Sequence, residues 1–144
     1  MKMIMRDLTE PYPISNYRYF VDNWPQYAIM VDYGGECIGC AVSKLERKQY
    51  KTATGQVYTC KAGYINMLCV ELAYRRIGLG RVLVKKAMEL LARDGADEIL
   101  LEVDVDNKAA YNLYKNLGFE KYRTLKNFYL SGNDADSLRF TIRR

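Results

Sequence analysis

The chain has 144 residues, of which 49% are hydrophobic and 27% are charged, so it suits one domain with a buried core over residues 1–144 and not a disordered chain. No apolar run approaches the roughly 18 residues of a membrane span, and the N-terminus lacks the apolar stretch of a secretory signal. We therefore expect a soluble, cytoplasmic protein with no membrane partner.

The net charge of +5 is compatible with three kinds of basic surface. Such a surface could bind a nucleic acid or the phosphates of a nucleotide cofactor. It could also bind no ligand, if the lysines are scattered over the surface. No run of Lys and Arg is longer than two residues, which disfavours the first interpretation. No direct contact with nucleic acid is expected.

The first half of the chain is predicted to form short strands separated by turns. In chain order the elements are a short edge strand over Met3–Asp7, a helix over Ser15–Trp24, and the strands Tyr27–Tyr33 and Glu36–Lys44. Ser15 suits the helix N-cap and Pro25 ends the helix, while the glycine pair between the two strands is typical of a β-hairpin. The polar segment Glu46–Lys61 is predicted as a long turn, with no role assigned.

The second half is predicted to alternate buried strands with amphipathic helices. In chain order the elements are strand Gly63–Val70, helix Arg81–Arg93, strand Ile99–Val105, a helix capped by Asp106-Asn107 and ending at Leu117, and strands Glu120–Leu130 and Leu138–Ile142. The strand over Gly63–Val70 is almost entirely apolar or aromatic, as a central strand covered on both faces is. This order predicts a single mixed α/β sheet with helices on both faces.

The cysteines and the missing histidines limit the chemistry. Cys37 and Cys40 have the spacing of half a zinc site, but no second half is present and the chain has no histidine. On a strand these two thiols would point to opposite faces, so buried, reduced thiols are predicted and no metal is expected. Without histidine, Ser-His-Asp and Cys-His catalysis are excluded, and any base is a carboxylate, tyrosine, lysine, thiolate or water.

The turn Gly78-Leu79-Gly80, between a strand and a helix, predicts an anion site. The backbone N–H groups of the first helical turn point at a ligand there, and the helix dipole favours negative charge. Glycine permits close approach of the ligand, and Arg75, Arg76 and Arg81 add positive charge. The alternative is an ordinary tight turn. The pattern is neither a Walker loop nor a complete dinucleotide-binding fingerprint.

Two motifs resemble the signatures of the GNAT superfamily of N-acetyltransferases. Arg75-x-x-Gly78-x-Gly80 resembles the pyrophosphate loop, and the segment Asn107–Phe119, with its Leu-Tyr-Lys-Asn-Leu-Gly-Phe ending, resembles the second signature. The resemblance implies a mixed, mostly antiparallel central sheet and acetyl-CoA as co-substrate. The cofactor-binding residues that it implies are Leu68, Val70, Arg75, Arg76, Gly78, Leu79, Gly80, Arg81, Asn107 and Tyr114, with pantetheine paired to the backbone near Leu68 and Val70.

Within that superfamily the chain is similar to the catalytic subunits of the N-terminal acetyltransferase C complex. The block Tyr17–Phe20 with Asn23–Pro25 is the distinctive match, and Gly63–Ile65 is a further matching segment. This similarity implies acetylation of protein N-termini that begin with methionine followed by a bulky apolar residue, with auxiliary subunits and the ribosome as partners. The chain departs from the family at Gln49–Cys60, which is longer, and at Lys126–Tyr129.

Direct acetyl transfer needs a base and an acid. A peptide α-amine has a pKa of about 7.7–8.0, and Glu102 follows an apolar run whose partial burial would raise its pKa toward neutrality. The alternative is that Glu102 and Asp104 are merely solvated. Tyr114 stays protonated at neutral pH and suits the acid for the CoA thiolate, the alternative being core packing. The family match implies the catalytic roles. An acetyl-cysteine on Cys69 is disfavoured because no histidine activates it.

The substrate-binding residues implied by the family match are Glu10, Tyr12, Tyr64 and Tyr129. An aromatic pocket of this kind suits an N-terminal methionine with an apolar neighbour. Three other functions stay open at this point: a GNAT enzyme acting on internal lysine or a small amine, a silent acetyl-CoA-binding module, and a nucleic-acid-binding domain.

Overall fold

The computed structural model describes residues 3–5, 11–12, 27–71, 78–129 and 132–142, with side chains given for 27–70, 78–129 and 132–142. These residues form an eight-stranded sheet with two helices. The strands are β1 (Met3–Met5), β2 (Pro11–Tyr12), β3 (Ala28–Tyr33), β4 (Glu36–Lys51), β5 (Val57–Glu71), β6 (Glu98–Asp104), β7 (Glu120–Leu125) and β8 (Ala135–Thr141). The helices are α1 (Leu79–Arg93) and α2 (Lys108–Asn116).

Strand β5 is the centre of the sheet. On one edge it pairs with β4 in antiparallel fashion along most of its length, and β3 lies beyond β4. Its other edge is shared, because β6 pairs in parallel with Ala62–Tyr64 and β1 pairs antiparallel with Cys69–Glu71. Strands β8 and β7 continue the sheet from β6 in antiparallel fashion. The predicted mixed, mostly antiparallel sheet is confirmed.

The main core lies between the sheet and the two helices. On this side, which we call the helix face, α1 buries side chains at helical spacing and α2 adds Ala110 and Tyr114. Between these helices and the sheet lie the apolar side chains Leu68, Val70, Ile99, Leu101, Val103 and Leu138. Side chains alternate along a strand, so residues such as Tyr64, Leu100 and Glu102 lie on the other side, which we call the opposite face. Both described helices thus pack on one face, whereas the sequence predicted helices on both faces. The remaining predicted helix, Ser15–Trp24, lies outside the described residues.

The predicted long turn over Glu46–Lys61 is wrong. The β4–β5 ladder continues to the pair Lys51–Val57, so only the five residues between them form the turn. The rings of Tyr50 and Tyr58 stack across the two strands with centroids 5.4 Å apart. Cross-strand aromatic pairs stabilise a ladder, and this one outweighs the polar character that suggested a loop.

The predicted orientation of Cys37 and Cys40 is also wrong. Ile38 is an extra residue in β4, opposite the shift in register between Val31 and Asp32, and this bulge reverses the alternation. Cys37 therefore packs against the same small cluster as Cys40, whose Sγ lies 3.2 Å from the Sγ of Cys69. All four cysteines are free thiols, and the described part of the chain contains no cluster of His, Cys, Asp and Glu suited to a metal.

Most other element predictions are confirmed with shifted ends. Asn107 caps α2 by accepting a hydrogen bond from the backbone N–H of Ala110, and Gly118 follows the helix with φ 101°. The first strand, β1, is paired on both sides and is not at the edge, since Pro11–Tyr12 pairs beyond it. The strand predicted over Glu120–Leu130 ends at Leu125, and β8 begins three residues before Leu138. Among the residues described, no helix has both the length and the apolar character needed to cross a membrane.

Candidate active site

A gap opens between β5 and β6. The two strands pair only at Ala62–Tyr64 with Glu98–Leu100, although β5 continues to Glu71 and β6 to Asp104. Since β1 joins the same edge of β5 only at Cys69, no strand among the described residues pairs with that edge over residues 65–68. Backbone N–H and C=O groups along such an edge are available to an extended ligand.

The start of α1 is built to receive an anion. Gly78 is its N-cap, with φ 83°, and no side chain of the described residues caps the helix. The first helical hydrogen bond runs from the N–H of Val82 to the carbonyl of Gly78, so the amides of residues 79–81 precede it. No acidic residue lies in this turn, whereas Arg81 is exposed within it. Amides with no helical hydrogen bond and the positive end of the helix dipole together favour a phosphate group.

The two glycines of this turn differ in their surroundings. A Cβ added to Gly78 would meet no atom of the described residues within 4 Å, so among these residues Gly78 borders open space. A Cβ on Gly80 would lie 3.8 Å from Leu113 and 4.0 Å from Val70, which is ordinary contact with α2 and β5. The predicted turn immediately precedes α1, and within it Gly78 is the glycine that needs a left-handed backbone. Arg75 and Arg76 lie outside the described residues.

We expect Gly78→Ala to weaken acetyl-CoA binding by about ten-fold or more, because the new Cβ strains the left-handed backbone and stands at the helix end. Gly35→Ala is a matched control, since Gly35 has the same φ of 83° and the same open space, in the β3–β4 turn. Calorimetry of both variants with acetyl-CoA measures the difference. Equal affinities would mean that this helix end does not bind the cofactor.

Glu102 lies on β6, on the opposite face and beyond the last residue pair between β5 and β6. Burial raises the pKa of Glu102 above its usual value, and the positive charges of Arg123, Lys48 and Lys44 oppose part of that rise. No described residue donates a hydrogen bond to its carboxylate. A half-buried carboxylate of raised pKa, whose oxygens accept no hydrogen bond from the described residues, is suited to accept a proton from a ligand.

Asp104, two residues along the same strand, has a different role. It is completely buried, and its carboxylate accepts a hydrogen bond of 2.8 Å from the backbone N–H of Asp106 and bonds of 3.2 Å from the amide of Asn133. These contacts hold the β6–α2 turn against the β7–β8 loop. The alternative in which Glu102 and Asp104 are both simply solvated is therefore wrong, and only Glu102 is free to act.

Ser137 belongs to this site and was missed from the sequence. It lies directly opposite Glu102 on β8, and Arg123 of β7 lies opposite Ser137 in turn. Ser137 is 1% exposed, and its hydroxyl has no hydrogen-bond partner among the described residues. A buried hydroxyl is usually satisfied by protein or water, so this one suits a water or a ligand group beside Glu102. The position of Ser137 beside Glu102 follows only from the pairing register of β6 with β8.

Tyr114 lies on the helix face of the sheet. It is completely buried on α2, its hydroxyl is buried as well, and its ring meets the edge of Phe119 at a centroid distance of 5.8 Å. It shares the main core with Leu101 and Val103, the neighbours of Glu102 in β6. Base and acid candidates therefore lie on the two faces of the sheet, on either side of β6. Asn107 uses its side-chain oxygen to cap α2.

Side chains are described for two of the four predicted substrate-side residues, Tyr64 and Tyr129. Tyr64 is the last β5 residue paired with β6, and the Nζ atoms of Lys44 and Lys48 lie 5.2 and 5.9 Å from its ring centre. Tyr129 is buried, with the ring of Phe128 packed edge-on at 5.1 Å. Glu10 lies outside the described residues, and for Tyr12 only the backbone is described. Tyr64 is thus the one of the four whose side chain is seen at the gap.

A family model and curated proteins both match the chain to acetyltransferases. Residues 1–119 match the model of the acetyltransferase (GNAT) family. The chain is 43% identical to N-alpha-acetyltransferase 30 of Xenopus laevis, over 99% of this chain and 50% of that protein. It is 39% identical to N-alpha-acetyltransferase 30 of Saccharomyces cerevisiae, over 95% of this chain and 76% of that protein. The chain spans half the length of the Xenopus relative and 37% of the human one.

Solved structures show the same similarity. The crystal structure of the NatC complex bound to Gag peptide and CoA superposes with a TM-score of 0.75 at 35% identity, covering 97% of this chain and 86% of that one. The structure of Chaetomium thermophilum Naa20 with a bisubstrate analogue superposes with a TM-score of 0.74 at 26% identity, covering 92% of this chain and 75% of that one.

Proposed function

We propose, from the premise that this chain belongs to the GNAT family of acetyltransferases, that it transfers the acetyl group of acetyl-CoA to the α-amine of protein N-termini. The preferred substrates begin with methionine followed by a bulky apolar residue. The observation that carries this proposal is the half-buried Glu102, with its raised pKa, beside the gap between β5 and β6. The relatives named N-alpha-acetyltransferase 30 support the choice of an N-terminal amine.

Two parts of acetyl-CoA, the pyrophosphate and the pantetheine, can be assigned to described residues. Its pyrophosphate would lie on the amides of residues 79–81, beside Arg81 and the predicted Arg75 and Arg76. Its pantetheine would pair with the β5 edge, where the span without a strand partner is residues 65–68. The predicted contact at Leu68 falls inside this span. At Val70 the same edge is opposite Ile4 of β1, so we place pantetheine on the Tyr64 side of Val70.

The mechanism that we propose is direct transfer. Glu102 accepts a proton from the substrate ammonium group, and the neutral amine attacks the thioester carbon in the gap. The resulting oxyanion is stabilised by backbone N–H groups of the β5 edge. As the carbon–sulfur bond breaks, the Tyr114 hydroxyl donates its proton to the CoA thiolate, and the remaining extra proton of the former amine leaves the amide nitrogen and restores the Tyr114 hydroxyl by way of solvent. Cys69 is not a nucleophile here, because it is completely buried with its sulfur against that of Cys40.

The partners are part of the same proposal. Solved relatives include the NatC complex bound to Gag peptide and CoA and the NatB complex bound to CoA and MES. We propose that this chain likewise binds a peptide N-terminus and associates with auxiliary subunits of the NatC type. Action on nascent chains at the ribosome, in the cytoplasm, completes the proposal.

We expect peptides beginning Met-Leu, Met-Ile or Met-Phe to be acetylated at least about ten-fold faster than those beginning Ser, Ala or Met-Asp. Apolar side chains gain roughly 1–3 kcal/mol in an apolar pocket, whereas a carboxylate there loses its water without gaining a partner. A competition assay at equal peptide concentrations, read by mass spectrometry, measures the ratio. Tyr64→Ala and Tyr12→Ala should reduce this discrimination more than they reduce acetyl-CoA binding.

Two outcomes of the competition assay would count against the proposal. Equal rates on all peptides would remove the substrate preference. Faster transfer to lysine side chains or polyamines would keep a GNAT acetyltransferase but end the assignment to protein N-termini.

A further inference from the structure

Three polar side chains lie in one row across the opposite face. Glu102 of β6 is directly opposite Ser137 of β8, and Ser137 is directly opposite Arg123 of β7. The side chains of directly opposite residues point to the same face, with Cβ atoms about 4.5–5.5 Å apart. The row therefore places a hydroxyl between a carboxylate and a guanidinium, and the acetyl transfer proposed above uses only the carboxylate.

The Ser137 hydroxyl is buried without a structural role in the described part of the chain. Ser137 is 1% exposed, and its Oγ has no hydrogen-bond partner among the described residues. Its neighbour on β8 differs, because Asp136 accepts a hydrogen bond of 2.8 Å from Thr124. Burying an unpaired hydroxyl costs free energy that an alanine would avoid. A serine at this position is therefore best explained by a polar group that it holds.

The carboxylate of Glu102 is the complementary group. It is half-buried, and no described residue donates a hydrogen bond to it or forms a salt bridge with it. A hydroxyl and a carboxylate that share one face of adjacent strands without direct contact are suited to hold a water between them. Such a water needs two to four polar partners, and Arg123, next in the row, carries further donors. Titratable and charged groups at nearby positions of this face are Tyr64 on β5, Lys44 and Lys48 on β4, Arg123 on β7, and Glu98 and Asp104 on β6.

The position of Ser137 suits it to fix the direction of the carboxylate. Glu102 stands between the gap on its β5 side and Ser137 on its β8 side. Glutamate is long and adopts many rotamers, whereas a general base must lie within about 2.6–3.2 Å of the group whose proton it accepts. A hydrogen bond from the β8 side occupies one carboxylate oxygen and leaves the other toward the gap, where the substrate amine must arrive.

We propose that Ser137 is a positioning residue for the acetyl transfer, and that its hydroxyl holds the Glu102 carboxylate through one bridging water. The hydroxyl donates to the water, and the water donates to one carboxylate oxygen. This inference rests on the proposed function, because it requires Glu102 to be the base. Ser137 itself neither contacts the reacting atoms nor transfers a proton. The bridge aligns the base before the substrate binds, and it favours the ionised form of the carboxylate.

Ser137→Ala should lower kcat by about ten-fold, with the KM for a Met-Leu peptide and the affinity for acetyl-CoA nearly unchanged. The rising limb of the rate against pH should also move upward by about half a pH unit or more, because the carboxylate loses a hydrogen bond that favours its charged form. A purely structural serine would not move this limb. Steady-state kinetics across the neutral pH range measure both effects.

Ser43→Ala is the matched control. Ser43 is also 1% exposed, and its hydroxyl also has no partner among the described residues. It lies on β4 opposite Ile65, whose side chain belongs to the main core on the helix face. The control therefore removes a buried hydroxyl of the same kind away from Glu102, and it should keep the kcat and the pH limb of the parent. Equal effects of the two substitutions would assign the loss to the fold and overturn the proposal.

A double variant tests whether Ser137 acts through Glu102. Added to Glu102→Gln, Ser137→Ala should cause no further loss of kcat, because the carboxylate that Ser137 positions is already gone. Losses that multiply would place the action of Ser137 elsewhere. If the parent protein does not acetylate the Met-Leu peptide, the proposed function fails. If it does, and Glu102→Gln is slow, but Ser137→Ala matches the parent in kcat and in its pH limb, only the role of Ser137 is overturned.

Discussion

Replacing Glu102 by glutamine should lower kcat by about 10²-fold or more while leaving acetyl-CoA affinity little changed. Glutamine keeps the shape of the side chain but cannot accept the proton of the substrate ammonium group. Stopped-time assays with a Met-Leu peptide and calorimetry with acetyl-CoA measure the two quantities. An unchanged rate would move the base to water or to another carboxylate.

The pH dependence gives a second signature of Glu102. Because burial raises its pKa, the carboxylate is protonated and inactive over a wider acidic range than an exposed glutamate. The rate of the parent enzyme should rise with pH as Glu102 ionises, and Glu102→Gln should lose this limb. The limb set by the substrate amine itself, with a pKa of about 7.7–8.0, should remain.

Glu102→Gln should lower the activity of the enzyme without lowering the stability of its fold. A carboxyl group whose pKa is higher in the folded than in the unfolded protein binds more protons when folded, so stability falls as pH rises through that interval. Glu102→Gln removes this cost and should be at least as stable as the parent at pH 7 in thermal unfolding. A variant that is both slow and unstable would point to a structural role of Glu102.

Replacing Tyr114 by phenylalanine should lower kcat by about ten-fold or more, again with little change in acetyl-CoA affinity. The hydroxyl is the proton donor for the departing CoA thiolate in the proposed mechanism. The loss is smaller than for Glu102, because a thiol with a pKa of about 8.5 departs with less assistance than an alkoxide. Steady-state kinetics with the same peptide measure it.

A variant of the same helix separates this role from core packing. Tyr111→Phe also removes one hydroxyl from α2, on a residue that is only partly buried, and should leave kcat unchanged. If Tyr114→Phe is as active as Tyr111→Phe, the Tyr114 hydroxyl takes no part in the chemistry and the residue is a core aromatic.

The fold was predictable where local pattern decides it. The apolar face of α1, the Asn107 cap and Gly118 act within one helix, and each was identified correctly from spacing alone. The paired strand segments within residues 47–61 were missed because they are stabilised by pairing with each other, as in the stack of Tyr50 on Tyr58, and neither segment alone has an apolar face. The bulge at Ile38 was missed for a related reason, since it depends on the partner strand.

The site was predictable only to the extent that motifs mark it. Glu102 and Tyr64 were predicted by family match, and both lie on the opposite face of the sheet next to the gap. Ser137 has no motif, and its position beside Glu102 follows from the β6–β8 register, which a single sequence does not specify. The same holds for Lys44 and Lys48, whose influence on Glu102 crosses two strand boundaries.

The short seam between β5 and β6 has a mechanical consequence. Only three residue pairs join these two strands, so the sheet consists of two leaves held at one end and backed by the helices. A pantetheine chain lying in the gap would take the place of the missing ladder. Acetyl-CoA would then stabilise the structure as well as donate the acetyl group. Strands β6, β8 and β7 would be held most firmly against the rest of the sheet when acetyl-CoA is bound.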